Sequence, residues 1–142
     1  MKPTELTISR VIRASREKVF SAWTTPELLT KWWGPGHVTC PEAHVDLREG
    51  GGYRLANLEA DGSIVWISGR FERVRAPEEL VYTWKVSIIP GEATLVSVKF
   101  LPHPDGTELV LVHERFAAEA LRDMHLQGWG GCLDKLEAFI AD

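Results

Sequence analysis

The sequence predicts an α+β domain: a curved sheet of seven antiparallel strands gripping one long C-terminal helix, with two short helices after the first strand. Three observations carry this. Seven segments alternate apolar and polar residues, as half-buried strands do. Turn formers separate six of them at short intervals, which implies a meander. Residues 117–140 then switch to apolar steps of three and four. A length of 142 residues suits one domain, here 1–142, and no linker, repeat or low-complexity stretch divides it.

Thr4–Arg13 is the first strand, with Leu6, Ile8 and Ile12 on one parity. Ser15 is placed to cap a helix over Arg16–Trp23, whose Val19, Phe20 and Trp23 fall at helical spacing. Thr25-Pro26-Glu27 starts a second helix with a cap, an N1 proline and an acidic first turn. Gly34-Pro35-Gly36 stops it after Trp32 and Trp33. The remaining strands fall at 42–48, 52–59, 64–75, 79–89, 93–102 and 107–116, separated by Gly50-Gly51-Gly52, Asp61-Gly62, Ala76-Pro77-Glu78, Pro90-Gly91 and Asp105-Gly106. In the C-terminal helix Leu121, Met124, Gly128, Cys132, Leu136 and Phe139 form the stripe expected to face the sheet. One helix cannot fill the concavity of a strongly curved sheet, so a hollow is expected between them.

Composition narrows the function classes. Net charge is −4 without any basic cluster, which argues against nucleic acid as a partner. No apolar run approaches the roughly 20 residues of a membrane span, and the start MKPTELTISR is too polar for a secretory signal. A cytoplasmic protein with reduced Cys40 and Cys132 is the expectation. The surplus is tryptophan, with six in the chain.

Strand parity assigns the side chains facing the hollow. Ala43, Val45 and Leu47 point inward, as do Val65, Ile67, Gly69 and Phe71; Leu80, Tyr82, Trp84, Val86 and Ile88 follow, then Val96, Val98 and Phe100, and finally Leu109, Leu111 and His113. Three features break this apolar wall. Arg10 shares the parity of Leu6 and Ile8; it either anchors a ligand, turns outward at a bulge near Ser9, or enters an internal ion pair. His113 either meets a ligand, with a general-base role within its reach, or is a satisfied core residue. Gly128-Trp129-Gly130-Gly131 either leaves a bare helix face that enlarges the hollow or allows close packing.

Other motifs carry less. Glu49-Gly50-Gly51-Gly52-Tyr53 lacks the spacing and following helix of a phosphate loop. His37, His44, His103 and His125 show no convergent metal spacing, and Glu42, His44 and Asp46 read as a solvated strand face. Neither cysteine has a local base, and no pair of catalytic carboxylates stands out. No metal or cofactor is expected.

A family resemblance runs over nearly the whole chain. Its pieces are Ile8-Ser9-Arg10, Ala14-Ser15-Arg16-Glu17-Lys18-Val19-Phe20, Trp23-Thr24-Thr25-Pro26-Glu27 and Trp32-Trp33-Gly34-Pro35. Asp46-Leu47-Arg48-Glu49-Gly50-Gly51, Asp61-Gly62 and Pro77-Glu78-Glu79-Leu80-Val81-Tyr82-Thr83-Trp84 follow. Gly106-Thr107-Glu108-Leu109, His113 and the run from His125 through Gly128-Trp129 to Leu133-Asp134-Lys135-Leu136 complete it. In this order and spacing the chain resembles single-domain bacterial proteins similar to the C-terminal domain of the activator of the 90-kDa heat-shock protein ATPase. These belong to the START-like (SRPBCC, Bet v 1-like) superfamily with the helix-grip fold.

The resemblance implies a cavity between sheet and helix that binds small hydrophobic ligands. The superfamily also contains cyclases, hydrolases and dehydratases whose catalytic residues differ between families, so it transfers none of them here. The eukaryotic activator has an additional N-terminal chaperone-binding domain, for which 142 residues leave no room. Three functions are weighed. The first is non-enzymatic binding of a small apolar molecule by Arg10, Trp32, Trp33, Tyr53, Ile67, Phe71, Tyr82, Trp84, Val98, Phe100, Leu111, His113, Met124, Gly128 and Cys132. The second is an enzyme in the same cavity, with His113 as its candidate catalytic group. The third is an interaction module, a homodimer or a chaperone partner, using Leu95, Leu101, Val110 and Val112 on the outer face.

Overall fold

Strand β1 (Glu5–Ile12) leads through Ser15, whose Oγ accepts the Lys18 amide at 3.2 Å, into helix α1 (Arg16–Thr24). Pro26 begins α2 (Pro26–Trp32). The computed structural model describes residues 3–141. Six strands follow: β2 (Ala43–Val45), β3 (Gly52–Leu58), β4 (Ile64–Arg75), β5 (Glu79–Val86), β6 (Thr94–His103) and β7 (Gly106–Glu114). Helix α3 (Glu119–Ala141) ends the chain. Among the described residues no helix is long and apolar enough to cross a membrane.

The seven strands form one sheet in the order β1-β7-β6-β5-β4-β3-β2, antiparallel throughout. This is the predicted α+β helix-grip architecture: β2 to β7 run as a meander, and β1 returns to close the β7 edge. Period-2 burial is regular where the wall is deepest. Leu80, Val96, Val98, Phe100, Leu109, Leu111 and His113 are completely enclosed. At Gly69 a side chain is impossible, since a Cβ would stand 1.9 Å from the Thr83 carbonyl oxygen and 2.8 Å from the Tyr53 ring.

Parity fails where the ladder ends earlier than predicted. Strand β2 stops at Val45 opposite Tyr53, and Leu47, expected inside, lies in the following turn at 39% exposure. Likewise β5 stops at Val86; the Ile89 amide bonds the Val86 carbonyl, and Ile88 swings out to 72% exposure. The buried face of α3 is Trp129, Cys132, Leu133, Leu136 and Ile140. The expected stripe therefore holds at Cys132 and Leu136 but not at Met124, which is 52% exposed. Cys132, Leu133, Leu136 and Ile140, four of these five buried residues, fall in the C-terminal half of α3.

Arg10 keeps its inward parity. The β1–β7 register is unbroken from Glu5 opposite Glu114 to Ile12 opposite Thr107, so no bulge turns it away. Its guanidinium instead reaches α3, donating to Asp134 at 2.7 Å, Glu137 at 3.4 Å and the Gly130 carbonyl at 3.4 Å. The Arg10 side chain is 27% exposed, but Asp134 is at the surface, so solvent weakens the pair. Arg10→Ala is expected to cost about 1 kcal/mol, less in high salt, as read from urea midpoints at two ionic strengths.

Candidate functional site

Tryptophan fills the centre of the hollow. Trp23 from α1, Trp32 and Trp33 from the end of α2, Trp84 from β5 and Trp129 from α3 meet in one cluster. Trp23 stacks on Trp129 with ring centres 6.0 Å apart, and Trp84 leans on Trp129 at 5.0 Å. Five large rings in one place leave a void of only about 20 Å3 among Trp23, Trp33, Tyr53, Phe71, Tyr82 and Trp84, enough for a single water. The sixth, Trp66, lies outside under the Arg54 guanidinium.

Every buried indole carries an N–H that must find an acceptor. Trp23 donates to the Tyr82 hydroxyl at 3.2 Å, Trp32 to the Ala22 carbonyl at 2.9 Å and Trp33 to Asn57 Oδ1 at 3.0 Å. Trp129 donates to His113 Nδ1 at 3.0 Å, and Trp84 to His125 Nε2 at 3.2 Å. These bonds fix both imidazole tautomers. His113 carries its proton on Nε2 and donates to Thr94 Oγ1 at 2.7 Å, while Thr94 donates onward to the Trp84 carbonyl at 3.2 Å. His125 carries its proton on Nδ1 and donates to the Leu121 carbonyl at 2.8 Å. Burial, reinforced by His125, pushes the His113 pKa down to about 2. Burial also lowers His125.

The open space lies to one side of this cluster. A cleft of about 420 Å3 runs between the β4–β5 wall and the N-terminal half of α3, within the size range of small-molecule sites. Its wall combines Val65 and Ile67 of β4 with Trp84, Val86, Ile88 and Ile89 around the end of β5. Across from them stand Leu121, Met124, His125, Gly128, Trp129 and Cys132 of α3, and Trp33, Pro35 and Val38 beside α2. Asn57 and Glu59, at the end of β3, complete a lining that is otherwise mostly carbon. Burial pushes the Cys132 thiol up to about 12. No cluster of three His, Cys, Asp or Glu side chains able to hold a metal occurs among the described residues.

Residues 13–141 match the family model of "Activator of Hsp90 ATPase homolog 1-like protein". The chain belongs to that family. Among curated proteins none matches it. A crystal structure from Chromobacterium violaceum, 27% identical, superposes with a TM-score of 0.90 over 99% of this chain and 99% of that one. The AHSA1 protein from Silicibacter pomeroyi, 24% identical, gives 0.85 over 96% and 97% of the two chains. A Nitrosomonas europaea protein, 23% identical, gives 0.85 over 99% and 96% and, like the previous one, speaks for the fold alone.

In this activator-like domain the residues expected to form the pocket divide into three groups. Trp33, Ile67, Trp84, Met124, Gly128 and Cys132 line the cleft. Tyr53, Phe71 and Tyr82, with Trp33 and Trp84, surround the small central void instead. Arg10, Trp32, Val98, Phe100, Leu111 and His113 line neither. His125, Trp129, Pro35 and Val38 are cleft residues outside that expected set. In the sequence His125 shows only a lack of metal-ligand spacing and a place in the family resemblance, and a turn at Gly34-Pro35-Gly36 gives no sign of which helix it will pack against. The glycines divide too. Gly128 faces the cleft, with only Pro35 Cγ at 4.0 Å from its would-be Cβ. At Gly131 the same atom would meet Pro35 and the Gly36 amide at 3.3 Å. One glycine opens space and the other permits contact.

Proposed function

We propose that this activator-like domain binds a small, largely apolar molecule in the cleft between the β4–β5 wall and α3, and holds it without catalysing a reaction. The observation carrying this is a 420 Å3 cleft lined mostly by aromatic and aliphatic side chains. Its titratable residues are poor instruments of acid–base or nucleophilic chemistry. His125 has both ring nitrogens engaged, the Cys132 thiol is held protonated, and Glu59 stands where β3 gives way to a turn. His113, the candidate base of the enzyme reading, is sealed behind Trp129 and Thr94. Free, buried thiols at Cys40 and Cys132 agree with a reducing, cytoplasmic setting.

The test is a thermal-shift panel of sterols, fatty acids, flavonoids and polyketide-like aromatics, followed by tryptophan fluorescence. Trp33, Trp84 and Trp129 line the cleft and should report an occupant directly. A ligand at 100 times its dissociation constant should add about 2.7 kcal/mol of stability, a rise of several degrees. No shift with any compound, and unchanged emission, would overturn the pocket reading. Weight would then pass to the outer face of β6 and β7, where Leu95, Val110 and Val112 are half-buried and Leu101 is exposed, and to homodimer or chaperone binding.

A further inference from the structure

A second hollow of about 250 Å3 adjoins the cleft and shares Trp84, Val86, Ile89, Leu121 and His125 with it. The two spaces adjoin along these shared residues, among them the hydrogen-bonded pair Trp84 and His125. Their chemistry differs. The cleft draws its unshared lining mostly from carbon, whereas the second chamber adds Lys85, Glu92, Thr94 and Arg115. Two cations against one carboxylate leave that chamber a net charge of plus one.

Two details place those cations as parts of a site. The Lys85 ammonium donates to the carbonyl of Ile89, a residue common to both chambers, which holds the charge at the boundary. Arg115 sits in a left-handed backbone conformation, φ +74°, where β7 ends and the chain turns toward α3. A non-glycine residue there is strained, and such strain gathers at ligand sites, where the surroundings enforce it.

Resting on the cleft reading, we propose that the bound molecule is a monoanionic amphiphile. Its apolar body occupies the cleft, and its carboxylate lies in the second chamber against Lys85 and Arg115. A neutral apolar ligand would leave that chamber's charge unanswered, and a dianionic head would exceed it.

Two probes of equal chain length separate the alternatives: dodecanoate, below its micelle concentration, and dodecan-1-ol, each titrated into the intact chain by tryptophan fluorescence. Dodecanoate should bind roughly tenfold more tightly, the gain typical of hydrogen bonds to charged groups. Lys85→Gln combined with Arg115→Asn should bring the two within about twofold while alcohol affinity stays unchanged. Asparagine tolerates the left-handed backbone, and retained alcohol binding certifies the fold. Glu92→Gln should move the preference the other way, toward the acid. Equal affinities in the natural chain, or a preference that survives the double change, would overturn the inference and leave the cleft reading standing. If neither probe binds, the inference falls, and the cleft reading is then decided by the wider panel of sterols, flavonoids and aromatics.

Discussion

Lowering the pH from 6.5 to 5 is expected to cost this fold about 2 kcal/mol through His113 alone. In the native state its pKa is pushed down to about 2 by burial, reinforced by His125. In the unfolded chain the side chain titrates near the ordinary value of about 6.5. Above that value both states hold a neutral imidazole and the full stability is present. As pH falls through it, the unfolded state takes up a proton that the folded state refuses, and stability declines by about 1.4 kcal/mol per unit. The refusal has a visible cause. Nδ1, where the proton would go, already accepts the Trp129 indole N–H, and the completely enclosed ring has no water to solvate a charge. His125 is shifted in the same direction and steepens the slope. Urea midpoints at pH 7, 6 and 5 read this directly, and a midpoint constant over that range would refute it. His113→Leu supplies the control. It should lose about 1–3 kcal/mol at pH 7, because the Trp129 N–H is left buried without an acceptor, and its acid slope should be shallower.

That network also explains what could be read in advance and what could not. The strands, the meander and the helix follow from periodicity and turn chemistry, which are local properties. Inward parity held through Leu80, Val98, Phe100 and Leu111 because long paired strands preserve alternation. It failed at Leu47 and Ile88, just past the points where pairing stops. His113 and the six tryptophans were visible as anomalies, but their connection was not. Residues 113 and 129 meet only because β7 and α3 fold against each other, and a hydrogen bond between them has no signature in spacing. The hollow expected between sheet and helix is present, but it lies to one side of the centre. Arguing that one helix cannot fill a curved sheet left out the indoles delivered by α1 and α2, which occupy the centre and displace the open space toward the N-terminal half of α3.

Gly128→Leu should block ligand uptake without weakening the fold, while Gly131→Leu, one turn further on, should weaken the fold itself. The first expectation rests on space. A Cβ at 128 meets only Pro35 Cγ at 4.0 Å, so a leucine side chain can extend into the cleft. Replacing a mid-helix glycine also gains up to about 1 kcal/mol of helix propensity. The second rests on a backbone that cannot yield. A Cβ at 131 presses on Pro35 and the Gly36 amide at 3.3 Å, and that loop is pinned from two directions. Gly34, at φ +111°, lies so close to the Val38 carbonyl that a Cβ there would stand 2.5 Å from its oxygen. The Lys135 ammonium bonds the same oxygen at 2.6 Å. A leucine at 131 must lever this loop away, at a cost of about 1–3 kcal/mol. Melting temperature and a fluorescence titration on both variants separate the effects. Gly128→Leu should keep or raise the melting temperature and lose at least tenfold in affinity, since the ligand and the new side chain claim one volume. A Gly128→Leu protein that binds as tightly as the natural chain would place the ligand somewhere other than this cleft. A Gly131→Leu protein of undiminished stability would mean that the Pro35–Val38 loop moves freely, and that the cleft's rim there is a hinged edge instead of a fixed wall.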